Sequence, residues 1–152
     1  MNAVHASPVA EVYRAQSVVS RAALLHSDTA GELIYAIGDI HGRYDLMVEL
    51  LAFLAEDARA RARSRRPMLV FTGDYIDRGP ESARVVEALT LVQRRAEVNV
   101  HLLKGNHEQA LLAFLENPQN GAMWLRCGGV ETLISYGVDP PSPDGAPQEL
   151  AG

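Results

Sequence analysis

From Glu32 onward the chain alternates between two kinds of apolar spacing. Leu33-Ile34-Tyr35-Ala36-Ile37 is an unbroken apolar run that stops at Gly38. A run this short, closed by glycine, predicts a buried strand. From Tyr44 to Ala58 the period changes: Leu46, Met47, Leu50, Leu51 and Leu54 recur every three or four residues, the spacing of one helix face. The alternation then repeats. Met68-Leu69-Val70-Phe71 predicts a second strand, closed by Gly73, and Val85, Val86, Leu89 and Val92 a second helix, with Pro80 suited to its first position. Val98 to Leu103 predicts a third strand before Gly105, and Leu111, Leu112 and Leu115 a third helix whose signals begin at Glu108. Successive strands start about 30 residues apart, the length of a βαβ unit. The expected fold is therefore α/β, a parallel sheet with flanking helices.

The flanks of this ladder read differently. Residues 1–30 carry early His5 and Pro8 and scattered charges, and are expected to be a flexible leader. Residues 31–138 form the domain. Residues 139–152, with Pro140, Pro141, Pro143, Pro147, Gly145 and Gly152, read as a Pro/Gly-rich tail. Between them, Val130 to Tyr136 predicts a short helix stopped by Gly137.

Composition narrows the class. The chain has 152 residues, 47% of them hydrophobic and 22% charged, within the range of a globular protein. Its net charge of −5 argues against nucleic acid as partner. No stretch reaches the roughly 18 uninterrupted apolar residues of a membrane span. The single cysteine, Cys127, excludes an internal disulfide and suits a reducing, cytoplasmic setting. Arg59, Arg61, Arg63, Arg65 and Arg66 form a basic run, expected to be solvated cations at a helix C-terminus rather than a phosphate patch.

Candidate chemistry sits where the three strands stop. The segments are Gly38-Asp39-Ile40-His41-Gly42, Gly73-Asp74-Tyr75-Ile76-Asp77-Arg78-Gly79 and Gly105-Asn106-His107-Glu108. In open α/β sheets, ligands gather outside the carboxyl ends of strands, so the three segments should meet in one crevice. Asp39 and His41, two apart, would point the same way if the strand stayed extended. Asp74 adds a carboxylate and Asn106 an amide oxygen. Such a mixture suits divalent metals of intermediate hardness. Each segment alone has an ordinary explanation, such as a helix cap or a surface ion pair. All three in order, each at a predicted strand end, point to a site.

Together the segments resemble the GDxHG, GDxxDRG and GNHE signatures of the PPP metallophosphatases, within the calcineurin-like metallophosphoesterases, and match every specified position over about residues 32–137. Gln109, Trp124-Leu125 and Gly128-Gly129 resemble the bacterial and phage serine/threonine protein phosphatase branch. Diadenosine tetraphosphate hydrolases are similar, but usually lack the aspartate at the position of Asp77 and end the third signature in Asp where this chain has Glu108.

The resemblance implies hydrolysis of phosphoserine or phosphothreonine monoesters in a phosphoprotein or phosphopeptide by a metal-bridged hydroxide. The alternatives are a dinucleoside polyphosphate hydrolase or a catalytically inactive metal-binding fragment. It implies two divalent ions, Mn first and Fe or Zn as alternatives. By position, Asp39, His41, Asp74 and Asn106 would be metal ligands. Arg78, Asn106 and His107 would bind substrate, and His107, Asp77 and Arg78 would be catalytic, with Asp77 orienting His107. Glu108 would brace the helix N-terminus.

The family's second metal normally takes two further histidines, and its phosphate a second arginine, from later segments. After His107 this sequence has no histidine, and its only later arginine is Arg126. His101 lies mid-strand and is expected to be structural. The expectation is therefore the N-terminal half of an α/β/β/α sandwich, truncated, with the second metal site incomplete. The sheet face meant for the absent half would be apolar and uncovered, a route to self-association.

Overall fold

The computed structural model of the chain describes residues 31–61, 66–95 and 97–141. Three four-residue strands, β1 (Ile34–Ile37), β2 (Met68–Phe71) and β3 (Asn99–Leu102), form a parallel sheet in the order β1-β2-β3. Helices α1 (Tyr44–Arg61) and α2 (Ser82–Gln93) make the two crossovers, and α3 (Asn106–Glu116) follows β3. A 3-10 turn (Pro118–Asn120) leads into α4 (Ala122–Trp124), a segment kinked at Gly128 (Leu125–Gly129) and α5 (Val130–Ser135). The leader expected over 1–30 and the tail from residue 142 lie outside the described residues, as do Arg63 and Arg65.

The register explains the core. Ile37, Phe71 and Leu102 stand side by side across the sheet, as do Tyr35, Leu69 and Val100. These two rows pack with Met47 and Leu54 of α1 and Val85 and Leu89 of α2, and Phe71 is fully buried. A side chain of that size contributes roughly 1.5–3 kcal/mol by leaving water. The alternate rows, Ile34/Met68/Asn99 and Ala36/Val70/His101, face the other way. Ile34 is 42% exposed, and Ala36, Asn99 and His101 are exposed too. A parallel sheet ordinarily has both faces covered; here, among the described residues, one face is.

Three expectations need correction. Helix α2 begins at Ser82, not Pro80, because the Glu81 amide donates to Gly42 O instead of opening a helix. Helix α3 begins at Asn106, two residues before the apolar signal, with Gly105 as its N-cap. Its inward face is Ala110, Leu111 and Phe114, whereas Leu112 and Leu115 are exposed; α3 packs against Trp124, which selects a stripe one residue away from the predicted one. The arginine expectation holds where it can be seen. Arg59 and Arg61 fall in the last turn of α1, and Arg61 Nε donates to Asp57 Oδ1 at 2.7 Å.

Candidate active site

All three signature segments emerge at the carboxyl ends of the strands, and backbone bonds clasp them together. The amides of Ile40 and His41 both donate to Asp74 O at 3.0 Å, and the Gly42 amide to Tyr75 O at 2.8 Å. The His107 amide, in the first turn of α3, donates to Asp74 Oδ1 at 3.0 Å. Gly73 and Gly105 lie back to back: a Cβ on Gly73, which has φ +109°, would overlap Gly105 N. Neither position has room for a side chain.

Glu108 is the brace between the second and third segments. One carboxylate oxygen accepts from Gly105 N at 2.9 Å and Asp74 N at 2.8 Å, and the other accepts from Tyr75 N at 2.8 Å. Ile76 N adds a longer contact at 3.4 Å. The Tyr75 hydroxyl, whose pKa is pushed up to about 12 by burial and then by the nearby Glu108 charge, donates to Leu103 O at 2.5 Å. The second loop is thus pinned to the end of β3 from two sides.

This clasp holds four non-glycine residues at positive φ: His41 (45°), Asp74 (56°), Asp77 (73°) and Arg78 (67°). Such conformations cost on the order of 1–3 kcal/mol each and gather at functional sites. They also correct the extended-strand argument for Asp39 and His41. Strand β1 ends at Ile37, and the left-handed turn at His41 brings its Nε2 to 3.7 Å from Asp39 Oδ2.

The donor set fits a divalent metal. His41 Nδ1 donates to Ile76 O at 2.8 Å, which leaves Nε2, on the Asp39 side, as the nitrogen that could bind a metal, the usual arrangement of a metal-binding histidine. Ligand atoms of His41 and Asp74 lie within 4.8 Å of each other and of a His107 ring nitrogen, although both His107 nitrogens are already engaged, by Asp77 and Arg78. Asp39 is exposed beside them, and Asn106 is exposed at the start of α3. The two further histidines that the resemblance associates with a second ion have no counterpart among the described residues at this site. The remaining described histidine, His101, lies exposed on the open sheet face.

Behind the donors is a buried pair. Asp77 is fully buried, and His107 is 6% exposed. A carboxylate only accepts, so His107 Nδ1 donates to Asp77 Oδ2, at 2.7 Å. An arginine only donates, so His107 Nε2 accepts from Arg78 Nη2, at 3.1 Å. The His41 and His107 rings meet edge to face with centroids 4.7 Å apart.

Two groups absent from the signature segments also touch this pair. Trp124 Nε1 donates to Asp77 Oδ2 at 2.9 Å, and Thr132 Oγ donates to Asp77 Oδ1 at 2.7 Å. No spacing signal pointed to Thr132, and Trp124 stood out only through the resemblance. Arg78, Leu125, Arg126, Cys127, Gly128, Val130 and Glu131 line an open groove of about 540 Å³ running from the site.

Known proteins place this architecture. The chain is 38% identical over 96 residues to serine/threonine-protein phosphatase 2 of Escherichia coli strain K12, covering 63% of this chain and 38% of that protein. It is 42% identical over 79 residues to the symmetrical bis(5'-nucleosyl)-tetraphosphatase of Klebsiella pneumoniae, covering 52% and 24%. It is 35% identical over 77 residues to serine/threonine-protein phosphatase BSL2 of Arabidopsis thaliana, covering 51% and 8%. The chain therefore spans less than two fifths of the length of these curated relatives. Residues 33–142, which hold the sheet, all three clasped loops and the buried pair, match the calcineurin-like phosphoesterase family, and the chain belongs to that family.

Proposed function

We propose that these residues form the phosphate-cleaving site of a metal-dependent phosphomonoesterase acting on phosphoserine or phosphothreonine. The observation that carries this is the buried Asp77–His107 pair opening onto Arg78 beside the metal-donor cluster. Asp39, His41 and Asp74 would hold one divalent ion, and Asp74 and Asn106 contribute to a second. We take Mn as the first choice for both. Ions bound there would activate the attacking water and offset phosphate charge.

The chain's own groups supply the rest. Arg78 would grip two phosphate oxygens, which a guanidinium fork matches in geometry, and in doing so would release His107 Nε2 from its present bond. Nε2 would then face the leaving oxygen. Once released, Nε2, which carries no proton while Arg78 donates to it, would take one up from solvent. As the water oxygen bonds to phosphorus and the phosphorus–oxygen ester bond breaks, His107 would pass that proton to the departing alkoxide. Asp77 fixes the ring and supplies compensating charge when both nitrogens carry protons. Asn106, at the helix start, would help seat the phosphate.

The relative named as a tetraphosphatase favours a second reading, cleavage of a dinucleoside polyphosphate; Asp77 and Glu108 weigh toward the phosphoprotein reading. The test offers the chain, with Mn²⁺, a phosphoserine peptide and diadenosine tetraphosphate in parallel. Phosphate released from the peptide and lost in His107→Asn supports the first reading, and turnover of the nucleotide alone replaces it with the second. A chain that binds Mn²⁺ but turns over neither would be a non-catalytic metal-binding domain. Among the described residues no helix is long and apolar enough to cross a membrane. We assign the reaction to the cytoplasm on the chain's cysteine usage, and propose that copies associate through the open sheet face.

A further inference from the structure

We infer that Thr132 and Trp124, which lie outside the three signature segments, are positioning residues for the proton donor. They fix the Asp77 carboxylate so that His107 is aimed at the leaving oxygen. This rests on the phosphomonoesterase reading above.

The geometry is a two-ended grip. Thr132 Oγ accepts from the Asp77 amide at 2.8 Å and donates to Asp77 Oδ1 at 2.7 Å. Ser82 Oγ backs it, accepting from the same amide at 3.1 Å and lying 3.1 Å from Thr132 Oγ. The backbone at Asp77 is at φ +73°, a conformation that an aspartate keeps only when its surroundings hold it. Oδ2 is shared by Trp124 Nε1 at 2.9 Å and His107 Nδ1 at 2.7 Å. With one oxygen tied to Thr132 and the other to Trp124, the carboxylate cannot rotate about its Cβ–Cγ bond, and the imidazole bonded to it inherits that direction.

The three groups are buried together: Asp77 at 0%, Thr132 at 1% and Trp124 at 3% exposure. Among the described residues every buried side-chain nitrogen or oxygen has a partner. Removal of either donor leaves a buried carboxylate oxygen short of a bond, which costs more than a surface bond would. The carboxylate would then turn toward whatever donor remains, and His107 would turn with it. Misalignment by about 1 Å is enough to cost up to about 100-fold in rate.

A proton donor matters most when the leaving group is a poor one. Thr132→Val, which removes the hydroxyl with little change in shape, should lower kcat on a phosphoserine peptide at least about tenfold. It should leave KM near the wild-type value and change kcat on p-nitrophenyl phosphate, whose leaving group needs no proton, less than about twofold. Thr132→Ser should restore the peptide rate. An equal fall on both substrates would mean that Thr132 serves stability alone and would overturn the inference.

A second readout needs neither metal nor turnover. In the ¹⁵N-labelled chain, the imidazole signals of His107 should show the Nδ1–H form. They should shift in Thr132→Val and in Trp124→Phe, which keeps an aromatic ring beside Phe114 and loses the indole N–H together with part of the ring, and stay unmoved in Thr132→Ser. Unmoved signals in both the valine and phenylalanine variants would overturn the inference, even if the wild-type chain hydrolyses nothing. Should Thr132→Val fail to fold, Trp124→Phe carries the same two tests. Loss of the phosphomonoesterase reading would appear separately, as no peptide turnover by the wild type beside His107 signals that still respond.

Discussion

Glu108 shows how one side chain fixes a site it need not touch chemically. Its two oxygens receive amides from both the second and the third loop. A glutamine there would turn an NH₂ toward N–H groups, so Glu108→Gln should destabilise the fold by about 1–3 kcal/mol, read from urea unfolding. A loss under about 0.5 kcal/mol would show that the brace is redundant. Tyr75 gives the same clasp a pH signature. Its pKa is raised from 10.0 to about 12, so folding favours the neutral phenol. That stabilisation is complete below about pH 10 and fades as pH rises through about 12. Stability measured across this window should fall more steeply for the wild type than for Tyr75→Phe. Tyr35 is raised to about 12 as well, so the difference between the two proteins is the quantity to read. Parallel curves would remove Tyr75 from the latch.

At the scale of elements, the segment after α3 is as much a part of the site as the three loops. The kink between α4 and α5 places Gly128 O to accept from the Arg78 amide at 3.2 Å and sets Gly128 at φ +112°, where a Cβ would come within 2.5 Å of Arg78 N. Gly128→Ala should therefore cost about 1–3 kcal/mol in thermal or urea unfolding. It should also displace Arg78, seen as weaker protection of the site by inorganic phosphate; an unchanged protein would show that the turn is slack.

The sequence announced β1 and β2 almost to the residue, because all four positions of each are apolar and a glycine soon follows, whereas in β3 Asn99 and His101 interrupt the apolar run and Gly105 marked its end. It announced the loops as well, since Asp39, His41, Asp74, Asn106 and His107 are chemically conspicuous. The left-handed backbone at His41, Asp74, Asp77 and Arg78 was illegible, because residues with side chains rarely adopt it and only the surrounding bonds impose it. Thr132 was illegible for another reason. It meets Asp77 across 55 positions of chain, and an ordinary threonine in a short helix carries no periodic signal.

At the scale of the whole molecule, the sheet is covered on one face and open on the other. Ile34, Ala36 and Val70 lie in the open rows, and an apolar surface of this kind favours association. Light scattering should find oligomers in the purified chain that shrink when Ile34 and Val70 are both replaced by threonine; a monodisperse monomer before substitution would contradict this. The chain belongs to the calcineurin-like phosphoesterase family and spans less than two fifths of its relatives' length. The central claim is that the clasped donors hold a working metal-dependent site. Hydrolysis of p-nitrophenyl phosphate by the purified chain with added Mn²⁺, beside Asp74→Asn, tests it most directly. The expected result is Mn²⁺-dependent turnover that is abolished by the asparagine. Turnover that persists in the variant, or its absence in a folded chain saturated with Mn²⁺, would contradict it.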